Sequence, residues 1–282
     1  MILWFMKNNL NLSSIGVIGH LGMVGGTTFR YFKENNFKVS GFDLRDTNSD
    51  INQVYKSDII FVCVPTPFNW ETNKHDSSIV KNVISQIPDD KIVVIKSTVQ
   101  IGTTEKLQQE FPKLKLLFNP EFLSEATSDL DFSHPDRQFV GYTDKSQSVA
   151  KQVLSILPPA SGSGLTMPSK QAELLKYINN MHGTLAVTEF NHYYEVCQKE
   201  SIDYDSTIKA ATASKYLNPS YTNIWHKGYR GFGGKCFPKD INTWLIYLQQ
   251  NNIDDTLFRA VRDVNRRILK EQKLTEEEVE KK

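Results

Sequence analysis

The sequence predicts an α/β protein, in which a doubly wound parallel sheet is followed by a long connecting helix and an all-α second domain. From Ser14 to about Val140, short β-branched runs alternate with helix-like segments. That alternation is typical of a parallel sheet with helices on both faces. From about Lys170 to Lys199 there is no proline and only one glycine, Gly183, which predicts a single long helix.

The candidate strands are nearly continuous apolar runs rather than alternating ones. Strands that are buried on both faces require such runs, because neither face of the sheet meets water. The six runs are residues 15–18, 38–42, 58–64, 91–95, 115–118 and 138–141.

The second half of the chain has a different texture. Residues 160–169, rich in Ser, Gly and Pro, predict a turn or short linker, which divides the chain into domains at 1–165 and 166–282. After the long helix, an irregular stretch at 215–234 precedes a helix that starts at Pro238, and a last helix starts at about Asp254. The charged run 271–282 is typical of a solvated, frayed tail.

Composition excludes several classes of protein. The 33 Lys and Arg nearly cancel the 32 Asp and Glu, which argues against a nucleic-acid partner held by a basic surface. No run approaches the ~20 apolar residues of a membrane span, and the apolar start Met1–Met6 is too short for a signal peptide. Three widely spaced cysteines and six scattered histidines fit neither a disulfide framework nor a metal site. We therefore expect a cytoplasmic protein without a metal or membrane partner.

A glycine turn follows the first candidate strand. Gly19, Gly22 and Gly25 open the next helix, where backbone N–H groups favour a pyrophosphate. Asp43 stands 18 residues after Gly25, at the end of the second strand, where a carboxylate accepts the ribose hydroxyls of NAD and repels the extra phosphate of NADP. A Rossmann-like NAD site is predicted, although a purely structural turn would look similar.

The same glycine spacing occurs in extended short-chain dehydrogenases and sugar epimerases. Those enzymes need a tyrosine with a lysine four positions on, and none of the eleven tyrosines has one. That class is disfavoured.

A cysteine precedes another predicted helix. Pro238 suits the first turn of a helix, so Cys236 would lie just outside its N-terminus, where the helix dipole stabilises a thiolate. Asp240 would lie in that first turn, and glycines at 231, 233 and 234 let backbone approach a ligand. We expect Cys236 to be a nucleophile, whereas Cys63 and Cys197 are interpreted as small buried hydrophobes.

The long helix carries a polar face. Lys176, Asn180 and Thr184 recur every four residues and share that face, which is either a solvated stripe or the edge of a binding cleft. The opposite side is expected to supply the apolar contacts of the helix, through Leu174, Leu175, Ile178 and Leu185.

A loop with two acids follows the fifth candidate strand. Residues 119–125 read Asn-Pro-Glu-Phe-Leu-Ser-Glu and would lie at the carboxyl edge of the sheet, where open α/β sheets bind ligands. Glu121 is either an acid/base group or a helix cap.

Together these motifs resemble the UDP-glucose 6-dehydrogenase and GDP-mannose dehydrogenase family from about Ser14 to Ile268. The motifs that carry the resemblance are residues 24–26, 62–67, 96–99 with 102–104, 119–125, 135–137, 172–176 with Asn180, and 231–240.

The resemblance implies an oxidoreductase acting on CH–OH groups. It implies a four-electron oxidation of a nucleotide sugar by two NAD in turn, most simply UDP-glucose to UDP-glucuronate, with GDP-mannose or a UDP-N-acetylhexosamine as alternatives. Cys236 would attack the aldehyde and form a thioester, and Lys176 would stabilise the oxyanion. Asn180 would assist Lys176, Glu121 would act in acid/base steps, and Thr98 and Asp240 would organise water.

The resemblance also assigns binding residues. NAD would contact Gly19, Gly22, Gly25, Asp43, Val64, Pro65, Thr66, Ser97, Thr98 and Glu125. The substrate would contact Glu121, Phe122, Leu123, Lys176, Asn180, Gly231, Phe232, Gly233 and Gly234. A homodimer through the long helix is expected, and so is the absence of the third, nucleotide-binding domain that typically follows in this family.

Two other functions remain open. A two-electron β-hydroxyacid dehydrogenase also joins a Rossmann domain to a helical one and uses a Lys–Asn pair on a helix, but it needs no cysteine. A non-catalytic relic or regulatory subunit would keep NAD binding and dimerise through the long helix.

Overall fold

A computed structural model describes residues 14–281. The apolar start Met1–Met6 lies outside the described residues. The chain divides into two compact units. The first holds the described residues up to Thr66 together with Ser77–Lys176, and the second holds Pro67–Asp76 and the chain from Tyr177 onward.

The strands, in chain order, are β1 (Ser14–Ile18), β2 (Lys38–Phe42), β3 (Ile59–Val62), β4 (Phe68–Asn69), β5 (Lys74–His75), β6 (Ile92–Ile95), β7 (Lys115–Phe118), β8 (Arg137–Tyr142), β9 (Ser163–Pro168), β10 (Trp225–His226) and β11 (Tyr229–Arg230). The helices are α1 (Met23–Glu34), α2 (Ile51–Tyr55), α3 (Ser78–Ile84), α4 (Thr103–Glu110), α5 (Ser128–Ser133), α6 (Gln147–Ile156), α7 (Ser169–Glu200), α8 (Tyr204–Ala211), α9 (Phe237–Gln250), α10 (Thr256–Glu271) and α11 (Glu276–Lys281).

A seven-stranded sheet organises the first unit, in the order β2-β1-β3-β6-β7-β8-β9. The predicted α/β class is confirmed, and alternate residues of the central strands pack into two different cores. Val93 and Ile95 of β6 belong to one apolar cluster, while Val94 belongs to the other. The continuous apolar runs therefore reflect burial on both faces.

The sheet is largely parallel, as predicted, with one antiparallel pair near an edge. β8 pairs antiparallel to β7, and β9 then runs parallel to β8. The connection from β7 to β8 contains only the short helix α5, and Phe118 of β7 pairs with Gly141 near the end of β8. The chain thus re-enters the sheet from the edge at which it left, so the new strand runs in the opposite direction.

The linker predicted at 160–169 is wrong, because Ser163–Pro168 forms β9. β9 is the last strand of the sheet and pairs with β8 at six positions. Most of its side chains are exposed or half-buried. An edge strand does not need an apolar run and tolerates a terminal proline, so its composition resembles that of a turn.

The second unit is mainly helical. Helix α7 spans Ser169–Glu200, close to the predicted 170–199, and continues from the first unit into the second. The β4–β5 and β10–β11 hairpins complete the second unit. Among residues 14–281, none of the helices combines the length and apolarity that crossing a bilayer requires.

The charged end of the chain is not a solvated tail over its described part. Residues Glu276–Lys281 form α11, in which Val279 is fully buried. Arg266 of α10 donates to Glu276 over 2.6 Å, and the N–H of Gly234 donates to the carbonyl of Val279. Val279 and Leu274 pack in one apolar cluster with Tyr229 and Leu269, and this packing docks the end of the charged run.

Candidate active site

The glycine turn connects β1 to α1 as predicted. Gly19 has φ of +89°, and Gly22 is the N-cap of the helix. A Cβ on Gly25 would collide with the carbonyl of Gly19, so the backbone packs too closely for any side chain at that position. The first N–H groups of a helix lack helical acceptors, and a helix N-terminus of this kind can bind an anion such as a pyrophosphate.

Asp43 ends the second strand and is 8% exposed. Its carboxylate accepts from the backbone N–H groups of Leu21 (3.3 Å) and Arg45 (3.0 Å) and from the Arg45 guanidinium (2.9 Å to each oxygen). The hydrogen bonds from Arg45 hold the pKa of Asp43 far below its usual range, so the carboxylate is ionised.

The predicted cofactor loops follow the adjacent strands β3 and β6. The hydroxyl of Ser97 donates to the carbonyl of Val64 over 2.7 Å, and that of Thr66 donates to the carbonyl of Thr98 over 2.8 Å. These bonds tie the two loops together at the carboxyl edge of the sheet. Pro65 and Glu125, also predicted to contact NAD, are exposed.

Glu121 and Lys176 form a buried ion pair within the first unit. The Lys176 ammonium lies 2.7 Å from Glu121 Oε1 and 2.8 Å from the Glu121 carbonyl oxygen, and the N–H of Leu123 donates to Glu121 Oε2. Burial alone would raise the pKa of Glu121, but the charge and hydrogen bond of Lys176 outweigh it and lower that pKa. Glu121 is therefore a carboxylate, able to accept a proton but not to donate one.

The polar face of α7 is buried, and the opposite side supplies apolar contacts only in part, since Leu185 packs against an apolar cluster. Lys176, Asn180 and Thr184 are each at most 3% exposed, whereas Leu174 is 36% and Ile178 is 54% exposed. Burial of the polar face is possible because each side chain has a partner. Lys176 binds Glu121, Asn180 binds Asp240, and the Thr184 hydroxyl donates to the carbonyl of Met181.

Lys96 is a buried cation that was not predicted to be functional. It is 3% exposed, and its ammonium donates to Asn119 Oδ1 over 2.6 Å. The Asn119 amide group donates to Gln138 and to the carbonyl of Phe139, which fixes its oxygen toward Lys96. Burial lowers the pKa of Lys96 to about 8. A lysine at the end of the run Ile-Val-Val-Ile is the sequence signal that identifies it, since such a charge needs a buried partner.

Glu173 was likewise not predicted to be functional. Its carboxylate is fully buried and accepts from the N–H of Gly102 (2.5 Å) and from the N–H (2.9 Å) and hydroxyl (2.7 Å) of Thr104. Gly102 is the N-cap of α4 and has no side chain with which to cap it, so Glu173 takes that role. This contact joins the start of α7 to the loop that carries Ser97 and Thr98.

In the second unit, Cys236 is the N-cap of the 14-residue helix α9. The helix begins at Phe237, one residue earlier than predicted, and Pro238 occupies its first turn. Cys236 is half-buried and is not part of a disulfide. Cys197 is 5% exposed, as expected of a buried hydrophobe, whereas Cys63 is half-buried. Loss of hydration raises the pKa of the Cys63 thiol to about 12, which is typical of an inert thiol.

Asp240 is the centre of a second buried polar cluster. Asn180 donates to its Oδ2 over 2.6 Å, and the Lys239 ammonium pairs with its Oδ1. His75 of β5 lies 3.4 Å from the Thr243 hydroxyl, and burial lowers the pKa of His75 to about 4. His75 is therefore neutral at neutral pH.

The predicted sugar-binding segments differ in accessibility. Gly231 has φ of +92° and is braced by Asn265, whose amide bonds both the N–H and the carbonyl of Phe232. The Phe232 ring is 2% exposed and packs in the apolar core of this unit, so only its backbone is placed for a ligand. In the first unit, Phe122 and Leu123 are half-buried, and the Arg137 guanidinium lies 4.2 Å from the Phe122 ring centre.

Comparison with protein families gives two matches that cover most of the chain. The NAD binding domain of the UDP-glucose/GDP-mannose dehydrogenase family matches residues 44–157, and the central domain of that family matches residues 170–267.

Individual proteins give similar results. UDP-glucose 6-dehydrogenase of Campylobacter jejuni is 29% identical over 236 residues, which cover 81% of this chain and 58% of that protein. The chain spans about half the length of the curated relatives it matches.

Solved structures confirm the fold. A UDP-glucose dehydrogenase from Pyrobaculum islandicum superimposes with a TM-score of 0.77 at 24% identity, covering 93% of this chain and 71% of that one. The 3-hydroxyisobutyrate dehydrogenase of Mycobacterium tuberculosis superimposes with a TM-score of 0.73 at 13% identity, covering 95% of this chain and 96% of that one.

Proposed function

We propose that this chain, which belongs to the UDP-glucose/GDP-mannose dehydrogenase family, catalyses the NAD-dependent four-electron oxidation of a nucleotide sugar. UDP-glucose is the first substrate to test, and GDP-mannose and the UDP-N-acetylhexosamines are the alternatives. The observation that carries the proposal is the position of half-buried Cys236 as the N-cap of a 14-residue helix. A two-electron dehydrogenase has no use for a nucleophile there.

Cys236 acts in the second oxidation. Bound NAD accepts the hydride in each of the two oxidations. The Cys236 thiolate adds to the aldehyde left by the first, and loss of the second hydride gives a thioester. Water then cleaves the thioester to the carboxylate and returns the thiol. Overall, one alcohol group, one water and two NAD yield one carboxylate, two NADH and three protons.

The remaining roles follow from charge and burial. The Lys176 ammonium stabilises the oxyanions that form during addition and hydrolysis, with Asn180 assisting it. Glu121 accepts a proton, because Lys176 keeps it ionised. Thr98 and Asp240 orient water. The sugar contacts assigned by family resemblance are Phe122 and Leu123 in the first unit and the backbone of residues 231–234 in the second.

The cofactor is held in the first unit. The turn through Gly19, Gly22 and Gly25 fits the pyrophosphate, and Asp43 fits the ribose. The loops after β3 and β6 fit the nicotinamide half, through Val64, Pro65, Thr66, Ser97 and Thr98, with Glu125 as a further contact.

The test is to supply limiting UDP-glucose with excess NAD and to count the NADH formed per sugar. Two NADH are expected, and a yield of one or none would contradict the four-electron reaction. Cys236→Ala is expected to lower the rate of NADH formation by at least ~10³-fold, because the nucleophile is lost. Cys197→Ala is the matched control and should retain activity.

Two other outcomes have a specific meaning. Activity on small β-hydroxyacids that survives Cys236→Ala would favour a two-electron dehydrogenase, whose fold is represented by the 3-hydroxyisobutyrate enzyme. Binding of NAD without binding of any nucleotide sugar, measured by calorimetry, would favour a non-catalytic subunit.

We also propose that α7 mediates a homodimer. The helix exposes an apolar row that includes Ile178 (54%), Tyr193 (43%) and Val196 (48%). Exposed apolar rows of this kind are typical of interfaces. Sedimentation should show a dimer that Ile178→Asp shifts toward monomer, and a wild-type monomer would contradict the proposal.

A further inference from the structure

The Asp43 carboxylate has no free acceptor site. Its two oxygens offer about four lone-pair sites. Arg45 occupies Oδ1 with its backbone N–H and Nε, while its terminal nitrogen and the N–H of Leu21 occupy Oδ2. Ribose hydroxyls that hydrogen-bond to Asp43 must therefore displace a donor already present.

Only the guanidinium can leave easily. The N–H groups of Leu21 and Arg45 belong to the backbone of the glycine turn and of the segment after β2. The Arg45 side chain is 65% exposed, whereas that of Asp43 is 9% exposed. An exposed arginine that moves away from its carboxylate regains water and rotamer freedom, so the exchange has a small cost.

The displaced guanidinium stays near the ribose, because Arg45 is only two residues from Asp43 along the chain. A planar cation at that place suits a 2′-phosphate, which is the group that distinguishes NADP from NAD. One side chain therefore opposes NAD binding and favours NADP binding.

We propose that Arg45 is a specificity-determining residue that competes with the cofactor ribose for Asp43 and weakens the preference of the site for NAD over NADP. The proposal rests on the NAD-binding part of the proposed function and does not depend on the identity of the sugar. In this proposal, the ion pair between Arg45 and Asp43 must open before the ribose can hydrogen-bond to Asp43.

The test measures dissociation constants by calorimetry, with NAD or NADP added to the full chain in the absence of substrate. Arg45→Ala is expected to tighten NAD by about two- to five-fold, the usual size of an exposed ion pair. The same substitution is expected to raise the dissociation constant for NADP by about three-fold or more, because the Asp43 carboxylate without its arginine repels the 2′-phosphate. Arg45→Lys should lie in between, since an ammonium cannot bind both carboxylate oxygens in a planar fork.

Arg30→Ala is the matched control. Arg30 is 51% exposed and pairs with Asp129 in the same unit, so its loss should change neither constant. The proposed role of Arg45 would be overturned if Arg45→Ala weakened the binding of NAD and NADP equally, or left the ratio of their dissociation constants unchanged. The proposed function would remain intact in either case. Failure of the unaltered chain to bind NAD would instead overturn the cofactor site itself.

Discussion

Two buried carboxylates hold the start of α7 in the first unit, and their environments are opposite. Glu121 is 7% exposed and faces the Lys176 ammonium, which lowers its pKa. Glu173 is fully buried and accepts three hydrogen bonds from Gly102 and Thr104. No ion pair recorded within residues 14–281 includes Glu173, and burial raises its pKa to about 7 despite those bonds.

Glu121 and Glu173 show that fixing the position of a buried carboxylate is not the same as stabilising its charge. Three neutral donors fix where the Glu173 carboxylate lies, but they do not offset the loss of its hydration. For Glu121 the loss of hydration is offset chiefly by the charge and hydrogen bond of Lys176, aided by the N–H of Leu123 and the charge of Lys96. The region around Glu121 therefore keeps its ionised state at neutral pH, which suits a group that accepts protons in a reaction. The region around Glu173 is a structural joint whose protonation changes near neutral pH.

Lys176→Met removes the ion pair with Glu121 and should have the larger effect on the free energy of unfolding. Glu121 would then be a buried anion without its counter-ion, which typically lowers the free energy of unfolding by about 3–5 kcal/mol. NADH formation should be lost as well, because the proposed mechanism relies on Lys176 to stabilise the oxyanion. Urea unfolding followed by circular dichroism measures the first effect.

Lys113→Met is the matched control for that experiment. Lys113 pairs with Asp89 at a surface where both side chains are mostly exposed, so its loss should change the free energy of unfolding by less than about 1 kcal/mol. Adding Glu121→Gln to Lys176→Met should recover part of the stability, since it removes the uncompensated charge. Equal losses in the two lysine variants would mean that the buried pair does not hold α7.

The sequence pattern was sufficient for the elements whose character is local. The apolar runs predicted the central strands, and the absence of breakers predicted α7 to within a residue at each end. It was not sufficient for β9 or α11. β9 lies at the edge of the sheet, where a segment rich in Ser, Gly and Pro can be either a strand or a loop. α11 lies at the end of the described chain, where a charged run with few apolar residues can be either a helix or a solvated tail.

Within the candidate site, the sequence could place residue types but not their partners. The position of Asp43 after β2 was predicted, yet its clamp by Arg45 depends on a side-chain conformation. The shared face of Lys176 and Asn180 was predicted, whereas the direction of that face depends on Glu121 and Asp240, which are 55 and 60 residues distant along the chain. Lys96 and Glu173 were missed for the same reason.

Glu173→Gln tests the carboxyl that is held only by neutral hydrogen-bond donors, and it should have the smaller effect on the free energy of unfolding. The folded-state pKa of about 7 lies above the ordinary value of 4.5, so folding favours the protonated carboxyl. The resulting stability is fully present below about pH 4.5 and is lost as the pH rises through about 7. Between pH 5 and pH 8, wild type should thus lose about 1–3 kcal/mol of unfolding free energy relative to Glu173→Gln, which does not titrate. Glu110→Gln, which removes an exposed carboxylate from the other end of α4, should follow the wild-type slope. If Glu173→Gln followed that slope too, the Glu173 carboxyl would not titrate in this window, and its three donors would stabilise the anion as well as Lys176 stabilises Glu121.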